Sequence, residues 1–162
     1  MKKLLTFFIA FTLLSCNDGD FDVPNFEFTE DINSCGEYLL YKLNDEKTEA
    51  LIMALTPTQL GTTAGEKSYN ISTSITLTFR IFDDAIISDD YFCQELPPAS
   101  PTVIKELEAE SGTIVINTIE IIEDEEITGY EYEISISDLL FLDDNERIYR
   151  ESFTYGELKI LN

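Results

Sequence analysis

The sequence predicts an all-β domain, an antiparallel β-sandwich or small barrel of about eight strands. Apolar and polar residues alternate with a period of two through most of the chain, as they do in half-buried strands. These runs are short, and Gly, Asn and Asp residues that favour tight turns separate them. No Gly/Ser-rich linker or repeat divides residues 34–162, so we expect a single β domain there.

The first predicted strands are residues 38–43, which end at the turn pair Asn44-Asp45, and residues 49–55. Residues 49–55 contain strong helix formers, so a helix is the alternative to the strand that we predict. Residues 101–109 pose the same choice. Pro101 suits the start of a helix, but the residues after it alternate in polarity, and we predict a strand here too.

The clearest alternation lies in the middle of the chain. One face of residues 75–81 carries Ile75, Leu77, Phe79 and Ile81. One face of residues 130–137 carries Tyr130, Tyr132, Ile134 and Ile136. Such β-branched and aromatic residues are enriched in strands.

The remaining predicted strands are joined by turns at glycine. Residues 113–122 follow a Ser111-Gly112 turn, which would pair them in a hairpin with the preceding strand. Residues 147–154 and 157–161 are predicted to form a terminal hairpin around Tyr155-Gly156.

The charge and composition of the chain exclude several functional classes. It has 32 acidic and 10 basic residues and a net charge of −22, which disfavours binding to nucleic acid. The chain contains no histidine, which removes Ser-His and Cys-His nucleophiles and most zinc sites. A carboxylate-pair hydrolase is a formal alternative, but with so many acidic residues any pair is expected by chance. We therefore predict no enzyme, no cofactor and no metal.

The N-terminus has the pattern of an export signal. Lys2 and Lys3 precede an apolar run over residues 4–14, about half of the roughly 20 residues that a membrane-spanning helix needs. The run ends in Leu13-Leu14-Ser15-Cys16, which resembles the lipobox of bacterial lipoproteins, although Leu14 is bulkier than the usual residue there. The resemblance implies that residues 1–15 are a lipoprotein signal peptide and that Cys16 carries a lipid anchor in the membrane.

The residues after the cysteine refine this expectation. The acidic run over residues 17–22 is similar to the export tag of surface lipoproteins of the Bacteroidota type, and the chain as a whole resembles small lipoproteins of that kind. The resemblance implies a surface-exposed location on the outer membrane of the cell envelope. A calcium loop through Asp18, Asp20 and Asp22 is an alternative, but no Glu closes it. We expect residues 16–33 to be a lipidated acidic tether.

With Cys16 lipidated, Cys35 and Cys93 remain as a pair. An even pair of cysteines in an exported domain predicts a disulfide. Residues 91–98 form an apolar stretch around Cys93, which is either an exposed recognition loop or a segment that packs over the disulfide.

The sequence also suggests a candidate acidic face. If residues 103–110 and 130–137 share a sheet, its outer side would carry Glu106, Glu108, Glu110, Glu131 and Glu133. Crowded carboxylates would bind a divalent cation or a basic partner, and the alternative is a solvated polar face.

The function predicted from these features is that of a membrane-anchored extracytoplasmic lipoprotein that serves as a binding or accessory domain of the cell envelope. Its expected partners are the membrane, through the anchor, and an envelope protein. A binding module for divalent cations or cationic ligands is an alternative function. The sequence does not identify the ligand.

Overall fold

The computed structural model describes residues 27–88, 90–96, 98–144 and 146–162. This part of the chain forms eight strands and no helix, and all of the strand pairs are antiparallel. The strands are β1 (Asn33–Cys35), β2 (Leu39–Leu43), β3 (Glu49–Ala54), β4 (Gly65–Asn70), β5 (Thr76–Phe82), β6 (Val103–Glu123), β7 (Glu126–Asp143) and β8 (Glu146–Leu161). The prediction of an all-β fold with about eight strands is confirmed.

The strands form one sheet that curls into a half-barrel, which corresponds to the barrel alternative of the prediction. Their order is β1-β2-β3-β5-β6-β7-β8, and β4 pairs with the later half of β6. Strands β5 and β4 therefore follow one another along the same edge of β6, while β7 pairs along the other. Both ambiguous segments are strands, β3 and the start of β6, as predicted.

The two hairpins predicted at glycine are wrong. The chain runs straight through Ser111-Gly112 within β6, and through Tyr155-Gly156 within β8. The strand register shifts at both places, which is the mark of a β-bulge. A bulge bends a strand without ending it, and Gly156 permits one because it adopts a φ of +138°.

Strand β4 was not predicted because its side chains carry no period-two apolar pattern. Five of its six residues are exposed, and only Tyr69 is half-buried. The strand exists because its backbone pairs with β6 from Gly65 opposite Thr118 to Asn70 opposite Thr113. Such pairing leaves no trace in the local sequence.

The main core fills the concave side of the sheet, and the segment before β1 belongs to it. Phe28 is buried there and packs edge-on against Phe79 of β5 and Phe153 of β8, with ring centroids 6.2 Å apart in both cases. Ile32 packs against the same cluster. The packed domain thus begins earlier than the predicted boundary at residue 34, because an aromatic side chain in the predicted tether fills the core.

Several predictions fall on residues outside the described part of the chain. They concern the signal peptide of residues 1–15, the lipidation site Cys16 and the acidic residues 17–22. Within the described residues, no helix has the length and hydropathy to cross a bilayer.

A second, smaller core lies on the outer side of the sheet. It contains Tyr41, Leu43, Ala50 and Ile52 of β2 and β3, covered by Phe82, Ile86 and Tyr91. Phe82 is the last residue of β5, whereas Ile86 and Tyr91 belong to the connection between β5 and β6, which the Cys35–Cys93 disulfide ties to β1. The two Cα atoms lie 5.1 Å apart, and the predicted disulfide is confirmed.

Candidate functional site

A groove of about 370 Å³ lies on the outer side of the sheet, beside the disulfide-tied connection. Strands β2, β3, β5 and β6 form its floor, and the connection forms its wall. The residues that line it are Leu39, Ile52, Ala54, Thr76, Thr78, Arg80, Tyr91, Phe92, Gln94, Val103 and Glu106.

Strand register sets the chemistry of the floor. Tyr41 of β2, Ile52 of β3 and Thr78 of β5 lie in one row across the sheet, and Leu39, Ala54 and Thr76 form the row beside it. Residues in one row share a face and contact each other across the strands. The floor is therefore apolar on β2 and β3 and carries hydroxyl groups on β5.

The wall of the groove is aromatic. Phe92 packs on Tyr41 with ring centroids 4.5 Å apart, and Tyr91 packs edge-on against Phe82 at 5.4 Å. The Tyr91 hydroxyl donates a hydrogen bond of 2.7 Å to the Pro101 carbonyl oxygen. This bond links two parts of the connection between β5 and β6. Of the two alternatives for residues 91–98, packing rather than an exposed loop therefore describes Tyr91 and Phe92. Leu96, further along the same segment, is 81% exposed.

One end of the groove carries an ion pair. The Arg80 Nε donates to a carboxylate oxygen of Glu106, its cross-strand neighbour. Both side chains are partly exposed, so the pair contributes little to folding and mainly orients the guanidinium. A guanidinium held in this way presents further N–H donors to a ligand.

Asp83 lies at the start of the connection and contacts Thr102 at its end. Its carboxylate accepts hydrogen bonds from the hydroxyl and the backbone N–H of Thr102, which lower the pKa of Asp83. These bonds join the two ends of the segment that forms the wall.

The groove combines an apolar floor, an aromatic wall, several hydroxyl groups and one guanidinium group. This combination suits non-covalent binding, because apolar and aromatic linings with a few fixed polar groups are typical of recognition sites. Among the described residues, no group of three or more Cys, Asp or Glu side chains is arranged to hold a metal ion.

The five residues of the predicted acidic face are not brought together. Residues 103–110 and 130–137 do belong to one sheet, but Glu131 and Glu133 pair with Ile119 and Asn117, far along β6. Glu108 and Asn117 are nine positions apart, which corresponds to about 30 Å along a strand. Glu106, Glu108 and Glu110 thus lie near one end of β6, and the other two lie near its opposite end.

The two separated glutamates have partners of their own. The Lys159 Nζ lies 3.4 Å from the Glu131 carboxylate. Asn117 donates a hydrogen bond of 2.7 Å to Glu133. Register also places Glu66 and Glu157 in the row of Glu133, an arrangement that sequence reasoning missed because it depends on the position of β4.

Comparison of the chain with protein-family models, with curated proteins and with solved structures found no match.

Proposed function

We propose that the protein is a membrane-anchored extracytoplasmic lipoprotein whose β domain binds a protein partner in the cell envelope. The groove beside the disulfide-tied connection is its binding surface. The observation that carries the proposal is the aromatic wall, which a disulfide and two aromatic contacts hold over an apolar floor. A disulfide that positions such a wall fits a protein that works in an oxidising compartment.

A protein partner suits this groove better than a small molecule. The groove is a partly open cleft that lies between a strand floor and a single wall. Its lining includes Arg80, Tyr91 and Phe92, and arginine and aromatic residues are enriched where proteins contact each other. The proposed role is therefore accessory, in an assembly at the outer membrane.

The anchor is supported by the lipobox pattern and the acidic residues after it. Metabolic labelling with palmitate tests this part directly. The intact chain and Cys35→Ser should both incorporate the label, whereas Cys16→Ala should not. Labelling that survives in Cys16→Ala would overturn the anchor.

Site-specific photo-crosslinking in cells tests the groove. A photoreactive residue in place of Gln94, at the groove, should give an adduct with an envelope protein. The same residue in place of Glu125, in the β6–β7 turn, is the control and should give none. In the Gln94 background, Thr78→Trp fills the groove and should abolish the adduct, whereas Thr154→Trp on the outer side of β8 should leave it. The proposal fails if no adduct forms at position 94, or if Thr78→Trp does not reduce it.

A further inference from the structure

Strand β8 lies at the end of the sheet, so one of its edges has no neighbouring strand among the described residues. The second half of this strand is irregular and is flanked by the segment before β1. Phe28 packs on Phe153, Ile32 lies against Gly156, and a bulge distorts the strand at Tyr155. Over residues 146–152 the register with β7 does not shift, although Asp138 of β7 has a φ of +52°, and no described segment pairs with the free edge. This stretch has no Pro or Lys, and its charged residues are Glu146, Arg147, Arg150 and Glu151.

Three exposed side chains alternate along the outer face of this stretch, namely Arg147, Tyr149 and Glu151. Arg147 lies opposite Leu142 of β7, and no carboxylate of the described residues lies within ion-pair distance of it. Its charge is therefore not matched within the described part of its own chain.

Glu151 lies next to a side chain of the same charge. The pairs Ser137–Ser152 and Leu139–Arg150 place it directly across from Asp138 of β7. Two carboxylates in such positions repel each other. The Tyr149 hydroxyl donates to Asp138 at 2.6 Å, which partly satisfies that carboxylate and leaves Glu151 with no cation among the described ion pairs.

We propose that two copies of the chain pair through residues 146–152 of β8, antiparallel, about a two-fold axis at Tyr149. In this register each Tyr149 lies opposite its counterpart. Arg147 of each copy then lies opposite Glu151 of the other, so that two ion pairs form and the charge beside Asp138 is neutralised. The order positive, aromatic, negative is complementary to itself when reversed, which a two-fold interface requires.

Charge complementarity identifies a second copy as the occupant of this edge. A strand from an unrelated protein gains the backbone hydrogen bonds, but it has no reason to carry an acid and a base at these two positions. The contact is small, so we expect a weak and reversible dimer. It is separate from the groove on β2, β3 and β5, and neither proposal depends on the other.

Disulfide trapping of the full-length chain in cells tests the interface. Tyr149→Cys brings two thiols together across the axis, because directly opposite Cβ atoms lie about 5 Å apart. We expect a covalent dimer on non-reducing gels. Leu142→Cys is the matched control, because Leu142 is also exposed but lies one strand further from the axis. This variant should give at least about tenfold less covalent dimer than Tyr149→Cys. Equal trapping at both positions, or an adduct with a different protein at position 149, would overturn the proposal.

Charge reversal in the Tyr149→Cys background tests the register. Arg147→Glu or Glu151→Arg alone places like charges across the axis and should reduce the covalent dimer about tenfold. The double variant Arg147→Glu/Glu151→Arg restores complementarity and should recover it. Co-expression of the two single variants should recover it as well, which also shows that both are folded. Trapping that is insensitive to these changes contradicts the proposed register.

Discussion

The phenol hydroxyl of Tyr155 donates a hydrogen bond of 3.0 Å to the backbone carbonyl oxygen of Leu51. Tyr155 lies in β8 and Leu51 in β3, which are not neighbours in the sheet. Both residues are fully buried. The bond thus joins two distant strands across the concave side of the half-barrel, and Tyr155 is the residue of the β8 bulge that has no directly opposite residue in β7.

Removal of this bond should destabilise the fold. We expect Tyr155→Phe to lower the free energy of unfolding by about 1–2 kcal/mol, since it removes a buried hydrogen bond and leaves the ring in place. Urea denaturation of both proteins measures the change. Tyr130→Phe is the control, because the Tyr130 ring also packs at the core margin. Equal effects of the two substitutions would contradict the role of the bond.

Phe28 should contribute to stability as a core residue. Phe28→Ala removes a buried ring that contacts Phe79 and Phe153, so we expect a loss of about 3–5 kcal/mol. Ile87 is 92% exposed, and Ile87→Ala should change stability by less than about 0.5 kcal/mol. If the segment before β1 were a loose tether, both variants would unfold at the denaturant concentration of the wild type.

The disulfide should stabilise the domain by restricting the unfolded chain. It joins residues 58 positions apart, for which the chain-entropy model gives about 4 kcal/mol. We expect Cys35→Ser/Cys93→Ser to unfold at lower urea than the oxidised wild type, and to match the wild type measured in reductant. A double variant as stable as the oxidised protein would argue against this contribution.

Gly129 should not tolerate a larger residue. A Cβ atom at this position would lie 2.5 Å from the Ile160 carbonyl oxygen, so Gly129→Ala must displace the backbone of β8. We expect a loss of about 1–3 kcal/mol and faster amide hydrogen exchange at the end of β8. Gly61→Ala is the matched control, because its Cβ would have no neighbour closer than 3.8 Å. If exchange in β8 is the same in both variants, the close approach is not limiting.

Lys42 should make stability depend on pH. Its side chain is buried, and burial lowers the pKa of Lys42 below 10.5, with Asp31 partly opposing the change. The unfolded chain therefore binds more protons than the folded chain between the lowered pKa and 10.5, so this contribution to stability rises with pH there. Lys42→Met removes the cost of burying the charge.

We expect Lys42→Met to be more stable than the wild type at pH 7, and the difference to shrink as the pH approaches 10.5. Urea midpoints across this range measure it. Lys67→Met, at an exposed position of β4, should show no such trend. A difference that grows with pH would have the wrong sign for a lysine of lowered pKa.

The sequence predicts those parts of the fold that are indicated by the pattern of neighbouring residues. Alternation identified the strands around Phe79 and Ile134, because each side chain reports its own face. The same alternation suggested hairpins at Gly112 and Gly156, because a bulge and a turn both interrupt the period. Only the pairing of the flanking residues with β7 distinguishes the two.

The candidate sites show the same division. The disulfide was predicted from the number of cysteines, because the N-terminal pattern predicts an exported domain, in which a pair of cysteines is expected to form a disulfide. The acidic face assumed that Glu108 and Glu133 were neighbours, and the register of β6 with β7 separates them. The groove was not foreseen, since its floor and its wall come from segments that are distant in the chain.

By itself, the sequence determined the all-β class, the disulfide pair and the strands with regular alternation, because these depend on residue type, number and local period. Tertiary structure alone decided that β6 and β8 continue through their glycines, that the polar segment at Lys67 is a strand, and that Phe28 belongs to the core. Each of these depends on backbone pairing or on a cavity formed by distant strands, and the free energy of such contacts is not encoded within a short stretch of sequence.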